Sequence, residues 1–63
     1  MTHKMIRLRN AIHDAGYMQT DIADKVGITD KHLSAIINGV KRPSVEVLVR
    51  IAEILHVKVD DLL

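Results

Sequence analysis

Apolar residues recur along this chain at helical spacing, and polar or turn-forming residues interrupt them at short intervals. Met5, Leu8, Ile12 and Ala15 make one stripe, which predicts a helix over 3–15 with Arg7 and Arg9 outside the stripe. Gly16 ends it. Ile22, Ala23 and Val26 share one side of a second helix, about 19–26. Leu33, Ile36, Ile37 and Val40 recur at i, i+3, i+4 and i+7 and predict a third, about 30–38, stopped by Asn38-Gly39. Val40 to Pro43 reads as a loop, and Pro43 keeps Arg42 out of the helical region. Ser44 caps a fourth helix, about 44–55, with Glu46 in its first turn. That helix is nearly all apolar, from Val45 to Leu55, with a polar stripe of only Glu46, Arg50 and Glu53. One of its sides must face the core and another is free for a partner subunit. Val59 to Leu63 predicts a short last helix. The reading is all-α and compact: five helices in one domain, 1–63, with no strands and no repeats.

The second and third helices are separated by Val26-Gly27-Ile28-Thr29 alone. Gly27 takes φ > 0 without a Cβ penalty, as a residue just past a helix end often must. Thr29 accepts from the first free N–H groups of the next helix, and Asp30 suits its dipole. Two helices joined so tightly must cross steeply, which is the helix-turn-helix arrangement whose second helix enters the DNA major groove.

The pieces Gly16 to Ala23, Lys25 to Thr29, Ile36 to Gly39, Lys41-Arg42-Pro43-Ser44 and Ala52 to Leu63, in this order and spacing, resemble the lambda repressor and Cro family of helix-turn-helix proteins, often called Xre-like. The likeness runs from about Leu8 to Leu63. It implies a lambda repressor-like DNA-binding domain with its helix-turn-helix at the second and third helices. It also marks departures. At Met18 the family usually has Ser, Thr or Asn, which caps the second helix; methionine cannot cap, so a ragged start is expected. At His56 the family usually has glycine, so a kept turn would put histidine at φ > 0. Several family members pair an arginine and a glutamate at the positions of Ile12 and Ile37. Here both partners are absent together, as physics asks, because one buried charge left alone costs more than replacing the pair. Ile12 and Ile37 are therefore expected to touch in the core.

On the third helix, with Leu33 as the buried centre, 100° per residue places Lys31, Ala35 and Asn38 nearly opposite, flanked by Ser34 and His32. Asp30, Lys31, Ser34 and Ala35 are the candidate base readers. Lys31 can donate to guanine O6 and N7, and Ala35 can meet a thymine methyl. Asp30 can only accept, favouring cytosine N4 and repelling phosphate. The alternative is a plain solvated helix face. Candidate phosphate contacts are Gln19, Thr20, Thr29, His32, Asn38, Lys41 and Arg42. Gln19 matches a backbone-holding position of the family, the N-terminus of the second helix offers free N–H groups, and the loop after the third helix supplies an amide and two cations. The resemblance also implies a symmetric dimer reading two half-sites. Val45, Val49, Val57, Val59, Leu62 and Leu63 are the candidate interface, unless they close the monomer core.

Composition narrows the rest. With 63 residues and a single aromatic, Tyr17, the core is aliphatic and small, supplying about 3–5 kcal/mol unaided. There is no cysteine, hence no disulfide or thiolate metal site. Net charge is +1, yet residues 1–42 carry seven Lys/Arg against four acids (+3) and residues 43–63 two against four (−2). The positive half holds the helix-turn-helix. No histidine among His3, His13, His32 and His56 is spaced i, i+4 from another, and no nucleophile–base–acid order or phosphate-cradling loop is present. The reading is therefore no enzyme, no metal, no cofactor, no small-molecule ligand, and no room for a substrate pocket in the core. No apolar run is long enough to span a membrane, so a cytoplasmic bacterial or phage protein is expected. Three functions compete: a transcriptional regulator, most simply a repressor; an antitoxin binding a toxin protein and its own operator; and a helical interaction module without DNA binding.

Overall fold

The computed structural model describes residues 4–63; His3, the expected first residue of the first helix, lies outside the described residues. Four α-helices follow in order: α1 (Ile6–Asp14), α2 (Gln19–Val26), α3 (Asp30–Ile37) and α4 (Val45–Leu55). The expected fifth helix is a single 3₁₀ turn, Val59–Leu62. Four residues are enough for i→i+3 bonds but too few to propagate an α-helix. No strand occurs among the described residues, and no helix there is long and apolar enough to cross a membrane.

All four α-helices end in one backbone motif. Beyond α2, the N–H of Gly27 reaches the carbonyl of Asp24 (3.2 Å) and the N–H of Ile28 reaches that of Ala23 (3.0 Å). This is the Schellman pattern, which needs a left-handed residue just past the helix. Gly27 takes it at φ 89°. A Cβ there would meet nothing within 4 Å, so the demand for glycine is one of backbone conformation alone. The same bonds recur beyond α1, α3 and α4: Tyr17 to Ile12, Val40 to Ala35, and Val57 to Ala52. At α4 the left-handed residue is His56, at φ 57°, the one positive-φ residue other than glycine among those described.

The helix starts differ. Thr29 Oγ1 accepts from the His32 N–H (3.0 Å) and Ser44 Oγ from the Val47 N–H (3.1 Å). At α2, Met18 has the extended backbone of a cap (ψ 152°) but no side-chain acceptor. The expected ragged start does not follow, because the Asp21 carboxylate reaches back to the Met18 N–H (3.2 Å). That is the returning half of a capping box, made without its first half. Asp61 does the same for Lys58 at the 3₁₀ turn (3.2 Å).

α2 packs on α3 and α4, and α1 and α4 both pack on the 3₁₀ turn. Leu8, Ile22, Leu33, Ile36, Ile51 and Leu62 are fully buried at the centre. Ile12 and Ile37 join the same cluster, 4% and 6% exposed. Val40, placed by its spacing on the apolar stripe of α3, is instead 73% exposed, because the chain has already left the helix at Gly39. Arg50, on the polar stripe of α4, does more than face solvent. Its guanidinium donates to the Val26 carbonyl at the end of α2 (3.2 Å) and pairs with Glu46 (2.8 Å). It thereby places a cation where the helix dipole favours one and holds α2 against α4.

Candidate nucleic-acid interface

The short connection Gly27–Thr29 sets α3 across α2, and Leu33 at 0% exposure anchors α3 to the core. The opposite side of α3 is open. Asp30, Lys31 and Asn38 are exposed, while His32, Ser34 and Ala35 are half-buried. Ser34 Oγ accepts from the Asn38 amide at 3.4 Å, so these two side chains hold each other at the C-terminal end of the face. The Ala35 carbonyl accepts from the N–H groups of Val40 (2.8 Å) and Lys41 (3.2 Å). This folds the loop back beneath α3 and sets Lys41 and Arg42, both exposed, beside its end.

Gln19 is half-buried at the first position of α2, with Thr20 exposed after it. The Gln19 amide donates to Asp30 Oδ1 at 3.1 Å, so the starts of α2 and α3 are tied together. The bond joins a candidate phosphate contact to a candidate base reader, a link that no local spacing signals. Thr29, exposed between the helices, uses its hydroxyl oxygen as the cap of α3. The structure therefore gathers Gln19, Thr20, Thr29, Asp30 and Lys31 around the two helix starts, and Asn38, Lys41 and Arg42 at the other end of α3.

The candidate dimer residues do not stay together. Leu62 is fully buried, and Val57 and Val59 pack against the core. Leu62 cannot meet a partner, because the 3₁₀ turn points it inward between α1 and α4. Val45 (76% exposed), Val49 and Leu63 (62%) remain outside, with Val45 and Val49 one turn apart on α4.

The expectation that no pocket would form applies to the core alone. On the surface, the end of α1, the start of α2 and the end of α3 leave an open hollow of about 300 Å³, walled by Ile12, Tyr17, Met18 and Ile37. No cluster of metal-binding side chains occurs among the described residues. The nearest approach of a histidine to an acid there, His13 Nδ1 to Asp14 Oδ1 at 3.8 Å, is between two exposed side chains and orients nothing.

A helix-turn-helix family model matches residues 7–62. No curated protein and no solved structure gave a significant match. The match takes in all of α2, α3 and α4 and all but the first residue of α1, and with it the chain belongs to the lambda repressor/Cro-like helix-turn-helix family.

Proposed function

We infer that this chain is a sequence-specific, double-stranded DNA-binding transcriptional regulator, a repressor that occludes a promoter. It binds a near-palindromic operator as a dimer with α3 in the major groove. The observation that carries this is the open face of α3, flanked by Gln19 at the start of α2 and by Lys41 and Arg42 in the loop. Groups that hold phosphate thus sit on both sides of groups that reach base edges, the division of labour DNA reading requires. Lys31 is the candidate donor to guanine, Ala35 the candidate methyl contact, and Asp30 and Ser34 complete the reading edge. Thr20, Thr29, His32 and Asn38 add backbone contacts. Val45 and Val49, exposed one turn apart on α4, favour a second copy as partner, and Leu63 is a third exposed apolar residue. No observation favours the antitoxin reading or the interaction module over this one.

Selection from a pool of random duplexes, followed by footprinting, tests it. Enrichment of two related half-sites about one helical turn apart supports the reading. A pool that shows no enriched sequence after repeated rounds at low salt contradicts it.

A further inference from the structure

Helix α1 carries cations that the helix-turn-helix does not use, and the surface beside it has a shape to match. The 300 Å³ hollow at the end of α1 is lined by Arg9 and His13 and ends at Gln19. A second, smaller hollow of about 50 Å³ is lined by Lys4 and Arg9 and ends at Asn38. The two share Arg9 and Ile37 as lining residues, so they adjoin there and together make a trough of two hollows beside α1, one lined also by Gln19 of α2 and the other by Asn38 at the end of α3. The Met5 N–H donates to the Ile37 carbonyl at 2.8 Å. That bond ties the start of α1 to the end of α3 and fixes Arg9, one turn further on, relative to the reading helix.

The charge in this trough is one-sided. No Asp or Glu lines either hollow, and Ile37 at the floor brings no carboxylate. Arg9 is exposed and makes no ion pair among the described residues, where His13–Asp14 and Arg50–Glu46 are the pairs formed. Its neighbour Arg7 is also exposed but borders neither hollow.

We propose that Arg9, with Lys4 beside it, is a further phosphate-holding group: the trough between Gln19 and Asn38 seats the DNA backbone, and α1 is part of the interface. The proposal rests on the DNA-binding reading above and extends it. The trough is continuous with the two ends of that interface, its open cations are complementary to a polyanion, and its apolar floor of Ile12 and Ile37 suits the faces of deoxyribose. Guanidinium is also the side chain best matched to a phosphate, through two parallel N–H donors.

The experiment is fluorescence anisotropy of the whole chain with a random 25-bp duplex across a range of salt. It compares wild type with Arg9→Gln, Arg9→Lys and Arg7→Gln, with circular dichroism to show that each is folded. Each phosphate contact contributes about −0.9 to the slope of log K against log salt. Arg9→Gln should flatten the slope by about that amount, so that its deficit relative to wild type shrinks about threefold between 50 and 200 mM salt. Arg9→Lys should keep the slope, and Arg7→Gln should leave it unchanged. A slope for Arg9→Gln equal to that of wild type, while Gln19→Ala still weakens binding, overturns the role of α1 and leaves the DNA reading standing. Absence of wild-type binding at low salt overturns both.

Discussion

Gln19 and Asp30, eleven residues apart, each stand at the first position of a helix, and the amide of one donates to the carboxylate of the other at 3.1 Å. The bond joins the helix that would hold phosphate to the helix that would read bases. It ties the start of one helix to the start of the other. It also commits one Asp30 oxygen within the protein, leaving the rest of the carboxylate as an acceptor beside a surface otherwise suited to anions.

Replacing Asp30 with Asn keeps an oxygen for Gln19 to donate to and removes the negative charge. Binding to random duplex at low salt should become roughly twofold to threefold tighter, and any preference for a base donor at the contacted position should relax. Anisotropy titrations of Asp30→Asn beside wild type check this. Weaker binding by the variant would mean that the charge itself is used.

Ile12 and Ile37 stand where a buried ion pair is an alternative, and each is almost wholly enclosed. Ile37→Glu alone should leave a large fraction of the chain unfolded at 25 °C. An uncompensated buried charge costs about 3–5 kcal/mol, which matches the about 3–5 kcal/mol that a core of this size supplies. The double variant Ile12→Arg with Ile37→Glu should regain part of that loss. Urea unfolding followed by circular dichroism separates the cases. An Ile37→Glu chain within about 1 kcal/mol of wild type would contradict the assignment of Ile37 to the core.

Met18 has the backbone of an N-cap and no side chain to complete it, while Asp21 already supplies the returning bond. Met18→Ser should complete the capping box and stabilise the chain by about 0.5–1 kcal/mol. Little is lost in exchange, since Met18 is 68% exposed. The urea midpoint should rise with an unchanged slope. An unchanged or lower midpoint would mean that the methionine side chain contributes more by packing than a cap would.

The helices were legible because each carries its own stop and two carry their own start; α1, with no side-chain cap, begins at Ile6 rather than at residue 3. Thr29 and Ser44 cap, and Gly16, Gly27 and Gly39 take the left-handed position. Even His56 was readable as the odd member of that set, because the turn after α4 requires φ > 0 whatever residue fills it. The contacts that join distant elements were not legible. Gln19 to Asp30 spans eleven residues and Arg50 to Val26 twenty-four, and no local spacing signals either bond. Which of the two readings of Leu62 holds, partner surface or monomer core, was not legible for a related reason. In a terminal segment of Val, Asp and Leu, the 3₁₀ geometry decides which leucine turns inward, and that geometry depends on α1 and α4 already being there. The hollows beside α1 are not legible either, because spacing alone sets Arg9, like Arg7, outside an apolar stripe. The surface that Arg9 borders exists only once the end of α3 is packed beside it.

In the proposed function, α2 and α3 present the DNA-binding surface. The most direct measurement is anisotropy with random 25-bp duplexes at low and moderate salt, comparing wild type with a variant carrying Gln19→Ala and Lys31→Glu. Both substitutions are at surface positions outside the buried core. Wild-type binding should fall steeply as salt rises, and the variant, still folded by circular dichroism, should lose most of its affinity at every salt concentration. Wild type and variant binding alike would place the DNA elsewhere on the molecule, and a wild type that binds no duplex at low salt would contradict the DNA-binding reading altogether.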